Sequence, residues 1–240
     1  MKNILIAAFL GLFATAYGQG SGHALSLDGN DGVNIPDNNV LDFGSNDFSY
    51  ELWVRPRLVA PGSPVGIMQL LAKRVGGQPN FELQMLSNGT YLTAIVGGAA
   101  GPYADLYMFE SGVENVGPVL TLQPVWNHVC FTRNNGTAFV YVNGELKGTK
   151  AMPFDVSSAA PLFLGSDSGS EPYSGMLDEV RFWNRALTEA EIRHRMTERL
   201  TGTEPGLVAY YRMDEGADNT CPGGQDVCDA SGNGNHGVKF

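Results

Sequence analysis

The sequence is poor in basic residues, in histidine and in long hydrophobic runs. Its 240 residues include 15 Lys and Arg against 25 Asp and Glu, which gives a formal net charge of -10 at pH 7. An acidic chain without a basic cluster repels phosphate groups, so nucleic acid and anionic lipid surfaces are poor partners. The 4 His residues show no His-x-x-x-His or His-Cys spacing, which argues against a zinc site.

The longest apolar run lies at the N-terminus. It has 13 residues, from Ile4 to Ala16, and follows a single Lys2. The run is shorter than the ~20 residues that span a bilayer, and small residues follow it, which is typical of a secretory signal. We therefore expect residues 1–18 to be a signal peptide, and the mature protein to be secreted to the extracellular side without membrane insertion.

Cysteine is also scarce, with 3 residues in the chain. In the oxidising compartment that a secreted protein reaches, two cysteines separated by a short run of turn-forming residues pair readily. This predicts a loop disulfide between Cys221 and Cys228. Cys130 lies between Val129 and Phe131 in an apolar segment, so we expect it to be a buried and inert thiol.

Glycine is abundant, with 31 residues, which is nearly twice its usual share of ~7%. Short segments of β-branched, aromatic or alternating residues end at Gly, Asn, Asp or Pro, and they predict many strands. Turn sequences at 87–89, 134–136 and 143–144 predict three hairpins. The pattern predicts an all-β fold, a two-sheet antiparallel jelly-roll sandwich with one short capped helix. A capping box of Thr188 and Glu191 begins this helix, which we expect to close over one end of the sandwich.

Six segments follow one another in an order that is typical of one family. They are ALSLDGNDGVNI, DFSYELWVRP, WNHVCFTRNNGTAFVYVNGE, PLFLGS, YSGMLDEVRFWNRALTEAEI and GLVAYYRMDEG. Together they resemble the laminin-G-like, concanavalin A-like and pentraxin-related jelly-roll domains. The resemblance implies an extracellular binding or adhesion module, often with Ca²⁺ at the sandwich rim. We assign residues 19–216 to one such domain, and residues 217–240 to a tail that completes the sandwich or leads into a further module.

The acidic residues do not form the pattern of a glycan-cleaving enzyme. Glucanases of this fold carry catalytic carboxylates at alternate positions of one strand, because a period of two places them on one face. Asp178 and Glu179 are adjacent, so their side chains are expected to leave opposite faces of a strand. We therefore expect a non-catalytic module, and a polysaccharide-active enzyme on the same scaffold is the alternative.

Oxygen-rich loops make Ca²⁺ the metal ion to expect. This ion takes roughly six to eight oxygen ligands from flexible, Gly-containing loops. The candidates are Asp28 and Asp31 in DGNDG, Asp178 at the start of DEVRFW, and the tail segment 229–235. By resemblance, the strands that carry Asp28 and Asp178 are neighbours, so the two carboxylates are expected to share an ion. Ordinary hydrogen bonding to turn amides is the alternative.

Carbohydrate is the ligand class that the resemblance and the loops favour. Sugar sites combine aromatic side chains with amide and carboxylate groups. The long Gly-rich segment 97–117 offers this combination. The predicted ligand-binding residues are Tyr103, Asp105, Tyr107 and Asn115 in this segment, and Tyr173 in a second loop. We expect the partner to be an extracellular glycan or glycoprotein. A structural or assembly module that binds another extracellular protein is a second alternative.

Two further features concern a buried pair and two glycosylation sequons. Glu51 is expected to pair with Arg181 across neighbouring strands, since a buried carboxylate needs a partner. Asn88 and Asn135 begin Asn-Gly-Thr sequons on predicted turns, where a glycan would be tolerated in a eukaryotic host. Asn-Gly at a turn also needs no glycan to explain it.

Overall fold

The chain folds into two antiparallel sheets packed face to face. In a computed structural model, the described residues are 23–75, 78–89, 91–97, 103–109, 124–215, 221 and 223–240. The predicted signal peptide, residues 1–18, lies outside them. Within these ranges, no helix has the length and apolar character needed to cross a membrane.

Each sheet has seven strands. Sheet A has the spatial order β1 (Leu25–Asp28), β12 (Ser174–Trp183), β3 (Phe48–Pro56), β8 (Asn127–Asn134), β9 (Thr137–Val142) and β10 (Glu145–Ala151), with β13 (Leu207–Tyr211) also paired to β12. Sheet B has the order β14 (Val238–Lys239), β2 (Val33–Ile35), β11 (Leu162–Leu164), β4 (Ile67–Val75), β5 (Gln78–Leu86), β6 (Tyr91–Gly97) and β7 (Tyr103–Phe109). A 3-10 turn (Asn39–Leu41) and helix α1 (Glu189–Arg195) join strands. The predicted jelly-roll sandwich is confirmed.

The core lies between the sheets because alternate side chains of each strand point inward. In β3, Phe48 and Tyr50 are fully buried and belong to the main apolar cluster. Phe43 stacks on Phe48 at a ring-centroid distance of 4.6 Å, and Phe131 stacks on Tyr50 at 4.8 Å. These contacts join sheet A to Phe81 of sheet B, whose ring lies 5.7 Å from that of Phe48.

The predicted hairpins are confirmed. The β8–β9 turn uses Asn135 at φ 48° and Gly136 at φ 72°, and the β9–β10 turn uses Asn143 and Gly144 at φ 52° and 76°. Asn and Gly tolerate this left-handed backbone better than other residues do, so these pairs fix the register of both hairpins. The β5–β6 hairpin turns at residues 87–89.

Helix α1 covers the outer face of sheet A, so its predicted position over one end of the sandwich is wrong. The predicted capping box is present, with Thr188 Oγ1 accepting from the Glu191 amide and the Glu191 carboxylate accepting from the Thr188 amide. Ile192 packs with Trp183 and with Cys130, which is the predicted buried thiol. The outward side chains of sheet A are large and apolar at this place, and burying them favours a covering helix.

Buried charges lie beneath this cover. Arg181 Nη1 is 3.3 Å from Glu51 Oε1, and Arg181 Nη2 is 2.5 Å from Glu179 Oε2, so the predicted Glu51–Arg181 pair is confirmed. The same guanidinium donates to the carbonyl groups of Arg195 and Glu198. Burial alone would raise the pKa of Glu51, but Arg181 opposes it and the pKa falls to about 2. Arg181 therefore joins two buried carboxylates of sheet A to the backbone at and after the end of α1.

Asp178 and Glu179 both lie on the outer side of sheet A, so the prediction that they leave opposite faces is wrong. The register of β12 against β3 shifts between Asp178 and Arg181, and Glu179 has φ 51°. This β-bulge adds one residue and breaks the alternation. Glu179 Oε2 accepts from the Tyr210 hydroxyl over 2.6 Å. Burial, and then the neighbouring Glu179 carboxylate, raise the pKa of Asp178 to about 7.

The C-terminal tail pairs with both sheets. Strand β14 extends sheet B beside β2, and Asp229 forms a bridge to Tyr211 of β13. The Asp229 carboxylate accepts hydrogen bonds from the backbone amides of Tyr210, Ser231 and Asn235. The predicted disulfide between Cys221 and Cys228 is present. The described tail residues therefore add to both sheets, and the alternative that the tail leads into a further module stays a prediction.

Replacing Arg181 by Leu is expected to lower the free energy of unfolding by about 3–5 kcal/mol, because two buried carboxylates lose their cation. Urea unfolding measures the change. The control is Arg199→Leu, which removes an ion pair with Asp214 whose guanidinium side is 46% exposed. We expect about 0–1 kcal/mol for this control. Equal losses in the two variants would contradict the role given to Arg181.

Asp178→Asn is expected to raise stability at neutral pH. The folded-state pKa of about 7 lies above the ordinary value of 3.8, so between these values the folded protein holds a proton that the unfolded chain has released. Stability contributed by Asp178 is therefore lost as the pH rises from 4 to 7. The variant should gain at least about 1.4 kcal/mol over wild type at pH 8, the equivalent of one pKa unit. Urea unfolding at pH 4.5 and pH 8 measures it, and an unchanged difference between the two proteins would refute the shift.

Candidate functional site

The outer face of sheet B, named the B face here, carries polar side chains in two cross-strand rows. Helix α1 packs on sheet A and leaves this face uncovered by any helix of the described residues. Side chains that alternate with the core-facing ones point to this outer face, and cross-strand pairing places them side by side in rows. The first row is Asn34, Phe163, Ala72, Glu82 and Ile95, and the second row is Gln69, Gln84 and Thr93.

Arg74 is the charged centre of the B face. Its Nε lies 2.7 Å from Glu82 Oε1, and its Nη1 lies 2.5 Å from Asp167 Oδ2 in the loop between β11 and β12. Glu171, in the same loop, is 3.5 Å away. The loop is held against β4 by the backbone amide of Gln69, which donates to the backbone carbonyl of Glu171. Three carboxylates therefore converge on one guanidinium.

Buried oxygen atoms on the B face lack hydrogen-bond donors. Asn34 Oδ1, Gln69 Oε1 and Thr93 Oγ1 have no partner within the part of the chain that the structure describes. Gln69 and Thr93 are fully buried. The side-chain nitrogen of Gln69 is already used, because it donates to Glu82 Oε2 and to the Leu71 carbonyl. A buried polar group without a partner costs about 1–3 kcal/mol, so these oxygens lower the stability of the fold.

Glu82 has a perturbed protonation equilibrium. Its side chain is 1% exposed. Burial raises its pKa to about 7, although Arg74 and the Gln69 amide oppose the change, and the carboxylates of Asp167 and Glu171 add to it. Strongly shifted carboxyl groups are common at binding and catalytic sites, so Glu82 marks the B face as a candidate site.

The residues predicted to bind the ligand have different outcomes. Tyr103, Asp105 and Tyr107 lie in β7, and their register partners in β6 are Gly97, Ile95 and Thr93. The backbone register therefore continues the two rows of the B face to positions 105 and 107. Asn115 lies outside the described residues. Tyr173 is fully buried and its hydroxyl donates to the Met176 carbonyl, so its prediction as a surface contact is wrong.

The predicted metal ligands do not come together. Asp28 pairs with Ser174, four residues from Asp178 along β12, which separates the two by roughly 13 Å at ~3.3 Å per residue. Asp28 and Asp31 each use one carboxylate oxygen in a hydrogen bond within the turn. Asp31 accepts from the backbone amide of Asp28, and Asp28 accepts from the backbone amide of Asn30. Asp178 accepts from the Glu179 amide. Across the described residues, no group of three His, Cys, Asp or Glu could hold a metal ion. The prediction that Asp28 and Asp178 share an ion is therefore wrong.

The other candidate sites have defined places in the fold. The tail segment 229–235 is occupied by internal hydrogen bonds, since both Asp229 oxygens accept from backbone amides. Asn135 is exposed at the β8–β9 turn, and Asn88 is half-buried at the β5–β6 turn. Glycosylation of these two residues stays a prediction.

Sequence reasoning missed Glu82, Arg74 and Gln69. A signal for part of the site was present, because Glu82 and Gln84 alternate with Phe81, Leu83 and Met85 in FELQM, and a period of two places both polar residues on one face. The contact between Arg74 and Asp167 joins residues 93 positions apart. It depends on strand order and loop path, which no local pattern specifies.

Comparison with known proteins gives one family and several structural relatives. A family profile described as the concanavalin A-like lectin/glucanases superfamily matches residues 27–193. A Bacteroides ovatus protein, provisionally named as carbohydrate-binding, aligns with a TM-score of 0.64 and 21% identity over 90% of this chain and 58% of its own. Domain 4 of AbnA, an extracellular GH43 arabinanase from Geobacillus stearothermophilus solved with arabinotriose, aligns with a TM-score of 0.51 and 25% identity over 76% and 81%.

A more distant relative is the binding domain of botulinum neurotoxin serotype G, with a TM-score of 0.51 and 13% identity over 73% of this chain and 47% of its own. This chain thus spans less than two thirds of the Bacteroides and neurotoxin chains. No curated protein sequence matches it significantly. The profile match extends over more than half of the residues, and the two-sheet fold agrees with it. The protein belongs to the concanavalin A-like lectin/glucanase superfamily.

Proposed function

We propose that this protein is a secreted, non-catalytic module that binds carbohydrate on the B face. The observation that carries the proposal is the Arg74 cluster, in which three carboxylates converge on one partly exposed guanidinium, on a sheet face that no helix of the described residues covers. Sugars present many hydroxyl groups that both donate and accept hydrogen bonds, which suits a face of amides and carboxylates. Two structural relatives, one provisionally named as carbohydrate-binding and one solved with arabinotriose, support the same ligand class.

Secretion is supported by the signal-like residues 1–18 and by the Cys221–Cys228 disulfide, since disulfides persist in oxidising compartments. N-terminal sequencing of exported protein tests it, and a chain that still begins at Met1 would refute cleavage. An extracellular location would give the B face access to polysaccharides or to the glycans of glycoproteins.

A polysaccharide-active enzyme is the second candidate, because a carboxyl group with a pKa of about 7 is suited to general-acid catalysis. The arrangement around Glu82 favours binding instead. A retaining or inverting hydrolase needs one acid and one free carboxylate on opposite sides of the bond, whereas Glu82, Asp167 and Glu171 all converge on Arg74. Release of reducing ends from arabinan, lost in Glu82→Gln, would favour the enzyme.

Glu171→Ala is expected to weaken binding with little effect on stability. The Glu171 side chain is 32% exposed and its carboxylate lies 3.5 Å from Arg74 Nη1, so its removal deletes an acceptor that a sugar hydroxyl can reach and costs about 0–1 kcal/mol of stability. Titration calorimetry with arabinotriose should show an affinity about fivefold lower, which corresponds to about 1 kcal/mol.

Glu145→Ala is the matched control, because Glu145 is an exposed carboxylate that pairs with Lys147 on β10 of sheet A. This control should also change stability by about 0–1 kcal/mol and keep the affinity of wild type. No binding of arabinotriose or of any other tested oligosaccharide by wild type would contradict carbohydrate binding, and equal affinity in Glu171→Ala would move the site away from the B face.

Calcium binding also stays a proposal, and Asp28, Asp31 and Asp178 do not fit a shared site. Thermal unfolding with excess Ca²⁺ and with chelator is the test, since an ion at 100 times its dissociation constant stabilises the native state by about 2.7 kcal/mol. We expect any such rise to persist in Asp178→Ala, because Asp178 lies beneath the cover of sheet A. If Ca²⁺ does not raise the unfolding temperature of wild type, calcium binding is no longer part of the proposed function.

A further inference from the structure

We infer that the B face selects neutral sugars and discriminates against sugars that carry carboxylate or sulfate groups. The inference rests on the proposed function and adds the charge class of the ligand. It follows from two observations on the B face, namely how the charges are already paired and which kind of hydrogen-bonding atom lacks a partner.

The first observation is that the cation of this face is already neutralised. The described residues of the two rows and of the loop between β11 and β12 include no Lys or Arg, and the neighbouring Arg74 of β4 contacts Glu82, Asp167 and Glu171. Its neighbour Lys73 is fully buried and points to Asp37, the carbonyl of Ala160 and Asp42. An acidic sugar would therefore meet an excess of negative charge and no free cation, which disfavours binding.

The second observation is that acceptors predominate on this face. Arg74 Nε has only an ion-pair contact, with Glu82, and the other described B-face atoms without a hydrogen-bond partner are oxygens, as in Gln69 and Thr93. These oxygens are enclosed, and the groups that a ligand can reach, the carboxylates of Asp167 and Glu171, are acceptors as well. A sugar hydroxyl can donate to such an oxygen, whereas a carboxylate or sulfate group has no proton to give and brings its own charge.

The exposed parts of the cluster place this preference within reach of a ligand. The side chains of Arg74, Asp167 and Glu171 are 23%, 19% and 32% exposed. Glu82, Gln69 and Thr93, on β5, β4 and β6, are buried. The groups that a ligand meets thus include two acidic side chains, which disfavour an acidic sugar.

The test compares glycans that differ in charge and proteins that differ in local charge. The apparent affinity of wild type is measured at low salt for five glycans: arabinan, galactan, polygalacturonate, fully methyl-esterified polygalacturonate and heparin. The variant Asp167→Asn/Glu171→Gln releases Arg74 from two carboxylates. The control Glu145→Gln/Asp155→Asn changes the net charge by the same amount at two exposed residues away from the B face, so it reports the effect of overall charge.

Wild type should prefer its best neutral glycan to polygalacturonate and heparin by at least tenfold. The Asp167→Asn/Glu171→Gln variant should bind polygalacturonate about tenfold more tightly than wild type does, and the control variant should not. The inference is overturned if wild type binds an acidic glycan as well as its best neutral one, or if both double variants gain equally. If wild type binds none of the five glycans, the proposed carbohydrate function itself is refuted for this panel.

Discussion

Arg181 is the residue on which the arrangement of the two outer faces depends. Its guanidinium neutralises Glu51 and Glu179 in the interior and at the same time donates to the carbonyls of Arg195 and Glu198. Carboxylates at such depth are tolerated only with a charged partner and further hydrogen bonds. The segment that supplies those carbonyls therefore has to lie on sheet A, and the helix before it is placed there with it.

The outward polar residues of the two sheets are therefore in different environments. On sheet A the helix and its following segment bury the charges with apolar side chains around them, such as Ile192 and Trp183. On sheet B a single guanidinium gathers three carboxylates, and the nearby amide and hydroxyl oxygens stay without donors in the described part of the chain. The proposed binding site is therefore on sheet B, where hydrogen-bonding capacity remains.

The sequence was a good guide wherever a local rule decides the structure. Asn135-Gly136 fixes a hairpin, Thr188 and Glu191 fix a helix start, and the short Cys221–Cys228 spacing gives a disulfide. It was a poor guide where one inserted residue changes the face of the sheet to which a side chain points, as at the Glu179 bulge. Positions 105 and 107, predicted to bind the ligand, continue the rows of the candidate site along the backbone register, whereas Arg74 and Asp167 meet only through tertiary contacts.

Strand β12 pairs along one edge with both β1 and β13, so residues near opposite ends of the domain depend on the same strand. Leu25 finds its partner only at Leu177, so the first strand has to remain unpaired until most of the chain has been synthesised. Pairings between residues so far apart pay a large loop-closure entropy before any contact is formed. Such topologies fold slowly, and the growing chain carries an unpaired apolar strand for that whole time.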